Sequence, residues 1–153
     1  MDGRRGRVVA VSVSARKGGR KIPVPSVVLV PEHGVRDDAH AGPGTRQVSL
    51  LAEESIAKMR AKGLSVGPGD FAENVTVAGI VLPAIAIGTR LRVGEALLEI
   101  TQIGKECHDR CAIFLQAGDC VMPREGVFAR VVLGGVVAAG DVVEVVEGGR
   151  EAG

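Results

Sequence analysis

The run Arg90-Leu91-Arg92-Val93-Gly94-Glu95-Ala96-Leu97-Leu98-Glu99-Ile100-Thr101 decides the fold. Leu91 and Val93 alternate with Arg90 and Arg92, so one face is apolar and the other charged, which is the period of a β-strand. A second apolar run starts at Ala96. The two residues between them begin with glycine, and a Gly-first pair suits a type II′ turn better than a type I′ turn. The stretch therefore reads as a β-hairpin with strands at 90–93 and 96–101.

Working outward, the same grammar repeats. Valine-rich runs at 7–13, 27–30, 75–77, 127–133 and 141–146 are separated by Gly- or Pro-bearing connections, the mark of many short strands joined by turns. In the first run Val9, Val11 and Val13 share a face by alternation. One helix is expected, with Ser49 as its cap, Glu53 and Glu54 in its first turn, Gly63 as its stop, and Ala52, Ile56 and Met59 as its stronger apolar face. A second short helical turn is expected at 111–116. Helices do not alternate regularly with strands, which disfavours a doubly wound sheet. The expected fold is mainly β: a closed or nearly closed β-barrel with one or two short helices, since closure removes exposed edges. One domain over 1–147 and a flexible tail over 148–153 are expected, and no repeat or linker interrupts the chain.

The chain has 153 residues, 19 Lys+Arg against 18 Asp+Glu, no Trp, no Tyr and three Phe. Near-neutral charge argues against broad capture of nucleic acid, and base stacking needs aromatic platforms that are nearly absent. No apolar run reaches membrane-spanning length or resembles a secretion signal. A cytoplasmic protein with neither nucleic-acid nor membrane partners is expected.

Three segments carry reactive groups. The first is Lys105-Glu106-Cys107-His108-Asp109-Arg110-Cys111, followed by Cys120. A thiol acts as nucleophile or metal ligand only as thiolate, and Lys105, His108 and Arg110 lower the pKa of Cys107 where they face it. Two plainer readings compete. Cys111 and Cys120 have apolar neighbours and fit the role of small buried hydrophobes. Cys107, His108, Cys111 and Cys120 also offer four soft ligands for a structural zinc ion, although only one half of the usual paired-knuckle spacing is present. The second segment runs from Gly34 to Gly42 and on to Arg46-Gln47-Val48-Ser49. It holds Asp38 and His40, and an Arg beside a helix N-terminus is a plausible anion site; the alternative is a solvated loop. The third is Gly67-Pro68-Gly69-Asp70-Phe71-Ala72-Glu73-Asn74. Asn74 offers a donor and an acceptor suited to a flat heterocycle, or else forms an Asx turn entering a strand.

Taken in order, these segments resemble the MOSC family, named from the C-terminal domain of molybdenum cofactor sulfurases. The resemblance rests on Gly34 to Gly42, Arg46-Gln47-Val48-Ser49-Leu50-Leu51, Gly69 to Thr76, Ile87 to Gly94, Leu98-Glu99-Ile100-Thr101-Gln102, Cys107, Gly126 to Val131, and Gly140-Asp141. It implies a β-barrel and an essential cysteine after the Leu-Glu-Ile-Thr-Gln run, a place that Cys107 matches and Cys111 and Cys120 do not. In the family that cysteine carries sulfur as a persulfide or, in reductase relatives, ligates molybdenum. The implied cofactor is the molybdenum cofactor (molybdopterin), with Cys107 as catalytic residue and metal ligand. Its candidate contacts are His40, Arg46, Ser49, Asn74, His108 and Arg110, with Arg46 and Asn74 at the positions expected to hold phosphate and pterin. Pyridoxal phosphate is not expected, because the aminotransferase-like desulfurase part of the sulfurases has no counterpart here. Implied partners are molybdopterin or molybdoenzyme biosynthesis proteins, with a cysteine desulfurase as sulfur donor. The function expected is cofactor binding or sulfur carriage. A molybdenum-dependent reductase of N-hydroxylated compounds and a small zinc-binding structural domain are the alternatives.

Overall fold

The computed structural model describes residues 4–16, 20–104 and 125–147. The strands are β1 (Arg5–Val13), β2 (Ile22–Val24), β3 (Ser26–Val30), β4 (Gly34–Val35), β5 (Val48–Ala52), β6 (Val75–Ala78), β7 (Arg90–Val93), β8 (Ala96–Ile103), β9 (Val127–Leu133), β10 (Gly135–Ala138) and β11 (Val142–Glu147), with helix α1 at Glu53–Ala61. Seven strands close a ring in the order β1-β6-β5-β9-β8-β7-β11, and β11 returns to β1 with Arg5 opposite Glu144 and Arg7 opposite Val142. Within the ring β5 and β6 run parallel, and the other neighbours are antiparallel. The barrel expected from the sequence is therefore present and closed. A second sheet, β10-β3-β4, lays Val27, Leu29, Val35 and Val137 into the same core.

The barrel interior is a packed apolar plug. Val8, Val11, Leu50, Val75, Val77, Leu91, Val93, Leu98, Ile100, Val127, Val131 and Val143 fill it, each at most 1% exposed. An eight-stranded ring is just wide enough for side chains to fill its interior, so seven leave no more room than that. The deciding hairpin forms as read: Arg90 pairs with Glu99 and Val93 with Ala96. Gly94 has φ of 56° while Glu95 is not among the positive-φ residues, as a II′ turn requires. A Cβ on Gly94 would also lie 2.5 Å from Asp141 Oδ2, so close packing reinforces the choice of glycine.

Two expectations are corrected. Val11 and Val13 both pack on the core as expected, but Val8 takes the place expected of Val9, because the β1–β6 register shifts between Val8 and Ala10. A bulge adds one residue and reverses the alternation phase. Ser49 does not cap a helix. It lies inside β5, and α1 begins at Glu53 after Ala52, which makes no side-chain cap bond. Ala52, expected on the helix's apolar face, is the last residue of β5; the other parts of the helix reading stand. Ile56 and Met59 are buried, and Gly63, with φ of 94°, ends the helix. Gly63 N–H donates to Arg60 O (2.9 Å) and Leu64 N–H to Met59 O (3.3 Å), the two bonds of a Schellman motif.

Under α1 lies a second, smaller core: Leu51, Ile56, Met59, Leu64, Val66, Phe71 and Phe128. It covers the outer face of β5 and β9. Strand β5 is thus buried on both faces, inward through Val48 and Leu50 and outward through Leu51.

A polar row on the outer wall of the barrel

Register places Gln102 opposite Phe128 and Phe128 opposite Ser49. Leu50 pairs with Val75, so Ser49 sits beside Asn74, and Asn74 N–H donates to Ser49 O at 2.9 Å. Ser12 N–H then donates to Asn74 O at 2.8 Å. Gln102, Phe128, Ser49, Asn74 and Ser12 therefore form one row across β8, β9, β5 and β1, with Asn74 just ahead of β6. Their neighbours Val11, Leu50, Val75 and Val127 belong to the barrel core, so the row faces outward.

At one end of the row stands Arg46. Its Nε donates to Gln102 Oε1 (3.2 Å), and its guanidinium carbon lies 5.2 Å from the centroid of the Phe128 ring. Gln102 is held in turn, its Nε2 donating to Gly104 O at 3.0 Å. Thr101 Oγ1 donates to Thr45 O, which fixes the backbone just before Arg46. An exposed cation–π contact contributes only about 0.5–1 kcal/mol. Its value here is orientation: an exposed guanidinium is held in a single pose. Gly104 N–H donates to Gly126 O (2.7 Å), closing the root of the 105–124 connection.

The middle of the row is consumed internally. Asn74, 2% exposed, accepts at Oδ1 from Ser49 N–H (3.1 Å) and Ser49 Oγ (3.2 Å), and its Nδ2 donates to Ser12 O (3.2 Å). Asn74 N–H donates to Ser49 Oγ at 3.0 Å. These two residues stitch β5 and β6 to β1. Glu73 is fully buried next to them, accepting from Gly69 N–H (2.8 Å), Phe71 N–H (3.2 Å) and Thr76 Oγ1 (2.7 Å). Burial pushes its carboxyl above the ordinary glutamate value, and these hydrogen bonds offset only part of that.

Beyond Ser12 lies a cluster that the sequence reading did not find. Lys21 Nζ donates to Asp38 Oδ1 (2.9 Å), Asp38 Oδ2 (3.0 Å) and Ser14 Oγ (3.3 Å), and it lies 2.8 Å from His40 Nδ1. The Lys21 and Asp38 side chains are 1% and 0% exposed. Burial pushes the Asp38 carboxyl up, but Ser14 N–H, the Lys21 hydrogen bond and the Lys21 charge outweigh it and hold the group below the usual aspartate range. The backbone joins this cluster to the row: Lys21 N–H donates to Gly69 O (2.7 Å) and Ala39 N–H to Ser14 O (2.9 Å). Gly69 is required there, since a Cβ would lie 2.3 Å from Lys21 O. Nothing local in Arg20-Lys21-Ile22-Pro23 separates Lys21 from a solvated surface lysine.

Of the expected site residues, Arg46, Ser49 and Asn74 share one wall, and His40 joins them through Lys21. Cys107, His108 and Arg110 lie outside the described residues, as do Cys111, Cys120 and the helical turn expected at 111–116. Among the described residues no group of three or more His, Cys, Asp or Glu is placed to hold a metal ion. No helix among them is long and apolar enough to cross a membrane.

A closed seven-strand barrel with an apolar interior and a single helix packed on its outer face defines the class: a small mainly β-barrel domain. The model of the MOSC domain matches residues 37–144, more than two thirds of the chain, and the chain belongs to that family. The family ties it to a molybdenum-cofactor-related role. Among solved structures, the YuaD protein from Bacillus subtilis is similar at 17% identity and a TM-score of 0.72, covering 92% of this chain and 95% of that one. YiiM from Geobacillus stearothermophilus is similar at 21% identity and a TM-score of 0.69, covering 93% and 75%. YiiM from Escherichia coli is similar at 22% identity and a TM-score of 0.67, covering 93% and 69%. These likenesses show the fold. No curated protein matches the sequence.

Proposed function

We propose that the chain is a molybdenum-cofactor-associated carrier that binds the cofactor on the outer wall of the barrel and uses the Cys107 thiolate to hold sulfur or molybdenum. The observation that carries this reading is Arg46: an exposed guanidinium held by Gln102 Oε1 and over the Phe128 ring. Planar forked donors suit a phosphate oxygen pair. Gln102 stands five residues before Cys107 in the sequence, so the cation and the thiol flank one short stretch.

The described donor set fits the phosphate-bearing end of molybdopterin. Arg46 is its cation; His40, beyond Ser12 at the opposite end of the row, is not placed to meet the same phosphate. Ser49 and Asn74, committed to each other, support the wall on which the ligand lies and are not themselves readers of it. When bound, the cofactor supplies a metal centre that prefers soft ligands, and thiolate is such a ligand. In sulfur carriage the Cys107 thiolate attacks the terminal sulfur of a donor persulfide, such as that of a cysteine desulfurase. The donor thiolate leaves, and Cys107 keeps the sulfane sulfur. Cytoplasmic partners of molybdopterin and molybdoenzyme biosynthesis would supply and receive it.

The test is mass analysis of protein purified from its own host, read for a persulfide on Cys107 and for bound pterin. Both are expected in the native chain. Cys107→Ala should lose the persulfide or the molybdenum, and Arg46→Ala should lose most of the pterin while keeping the fold. Native protein with neither group, or an Arg46→Ala variant that retains pterin fully, overturns the reading.

A further inference from the structure

In a regular strand side chains alternate, so Gln102 should point the same way as Leu98 and Ile100, which are fully buried in the barrel core. It does not. Ile100 lies opposite Ala129 and Gln102 opposite Phe128, so two steps along β8 match one step along β9. Thr101 is the extra residue of a β-bulge. Past it the alternation is reversed: Gln102 stands on the outer wall, and Ile103, opposite Val127, packs against the core.

The two residues at the bulge grip the same neighbouring segment. Thr101 Oγ1 donates to Thr45 O, and Gln102 Oε1 accepts from Arg46 Nε at 3.2 Å. The Gln102 amide is oriented with its oxygen toward the arginine, because its Nε2 donates to Gly104 O at 3.0 Å. Phe128, beside Gln102 in the row, has its ring centroid 5.2 Å from the guanidinium carbon. A guanidinium is a rigid plane, with Nε on one side of its central carbon and Nη1 and Nη2 on the other. With Nε engaged, the edge left for a two-point contact with an anion is the Nη1–Nη2 edge.

We propose that the Thr101 bulge builds an anion site on the outer wall: it turns Gln102 outward as a positioning residue for Arg46, which takes a pair of phosphate oxygens through its Nη1–Nη2 edge. That the phosphate is the cofactor's rests on the function proposed above; the aiming of the guanidinium by Gln102 does not. Gln102 itself touches no ligand in this scheme. It keeps Nε occupied and the guanidinium in one plane, which spares the ordering cost that a loose arginine side chain meets on binding.

The test uses the full chain, labelled with 15N, with inorganic phosphate as the probe and the arginine Nε–H signals as the readout. Arg46→Lys identifies the Arg46 signal. In the native chain this signal should exchange slowly with water, and phosphate should shift it. Gln102→Leu should keep the native urea midpoint, hasten exchange of the Arg46 Nε–H and weaken phosphate binding about tenfold, the worth of one hydrogen bond to a charged group. Gln102→Glu keeps an acceptor oxygen at the same reach and should retain the slow Nε–H, while its charge still weakens phosphate binding; a merely structural role for Gln102 gives no such split. An Arg46 signal indifferent to phosphate in the native chain overturns the proposal. So does native-like phosphate binding in Gln102→Leu, and so does a fast-exchanging Nε–H in Gln102→Glu, which decides the matter even where Gln102→Leu does not fold. Absence of persulfide and pterin from the native protein, with phosphate still bound at Arg46, would defeat the carrier reading alone, so the two failures are distinguishable.

Discussion

Removing one half of a buried ion pair costs far more than removing both halves, because the survivor is left charged and dry. Asp38→Asn strands the Lys21 ammonium and is expected to lower stability at neutral pH by about 3–5 kcal/mol in urea unfolding. Lys21→Met/Asp38→Asn should regain most of that loss. The pH dependence follows from the lowered Asp38 carboxyl. Its contribution is complete above the unfolded aspartate value of about 3.9 and disappears as pH falls through the lower folded value. Native and Asp38→Asn stabilities should therefore converge in acid. Glu73 acts in the opposite sense: its raised carboxyl binds a proton more readily when folded, so it withdraws stability as pH rises past the unfolded glutamate value of about 4.3. At this scale the sequence was partly legible. Asp38 and His40 fall in a stretch that stood out for its chemistry. Lys21 did not, because a lysine announces burial only through a partner 17 residues away.

Strand β5 shows why an element can be misread by one turn. Val48-Ser49-Leu50-Leu51-Ala52 has every residue buried, with the barrel core on one side and the α1 core on the other. A strand covered on both faces loses its alternation, and the period that separates strand from helix disappears. Ser49 ahead of an apolar run and two glutamates then reads as a cap. Other missed strands are short and broken by Gly or Pro: β2 carries Pro23, β4 opens with Gly34 and β10 with Gly135. The hairpin β7–β8, whose outer face keeps Arg90, Arg92 and Glu99, was legible, although β8 runs on to Ile103. The two-core arrangement makes a prediction at this scale. Leu51→Ala opens the small core and should cost about 2–5 kcal/mol, as should Ile56→Ala. Because both residues line the same seven-residue cluster, their effects should not add. Urea midpoints of the two single variants and the double variant check this.

For the whole molecule, the mainly β barrel was legible because many short valine-rich runs leave few other ways to hide strand edges. The placement of the site was not. A resemblance across the chain named Arg46, Ser49 and Asn74, but only the structure shows that Ser49 and Asn74 are bound to each other within one row, that Arg46 stands at the end of that row, and that the row lies outside the ring. The interior is too full of branched aliphatic side chains to receive a ligand. Gly104 and Gly126, where β8 ends and β9 begins, meet through a backbone hydrogen bond.

The seam that closes the ring has a further consequence. Strands β1 and β11 stand at opposite ends of the sequence order yet lie antiparallel, with Val145 N–H donating to Arg4 O at 2.8 Å and Val8 N–H to Asp141 O at 2.7 Å. Neighbouring strands are about 4.8 Å apart, a gap that a hairpin turn spans. The first and last described strands are thus neighbours in the ring, already bridged by hydrogen bonds. A circular permutant that begins at Glu95, ends at Gly94 and joins β11 to β1 through a short glycine-bearing turn is expected to reach the same barrel and to unfold in one cooperative transition near the parent's midpoint. A permutant that collapses without cooperative unfolding would mean that the β7–β8 turn must form first, making this hairpin a folding nucleus as well as the clearest signature of the fold.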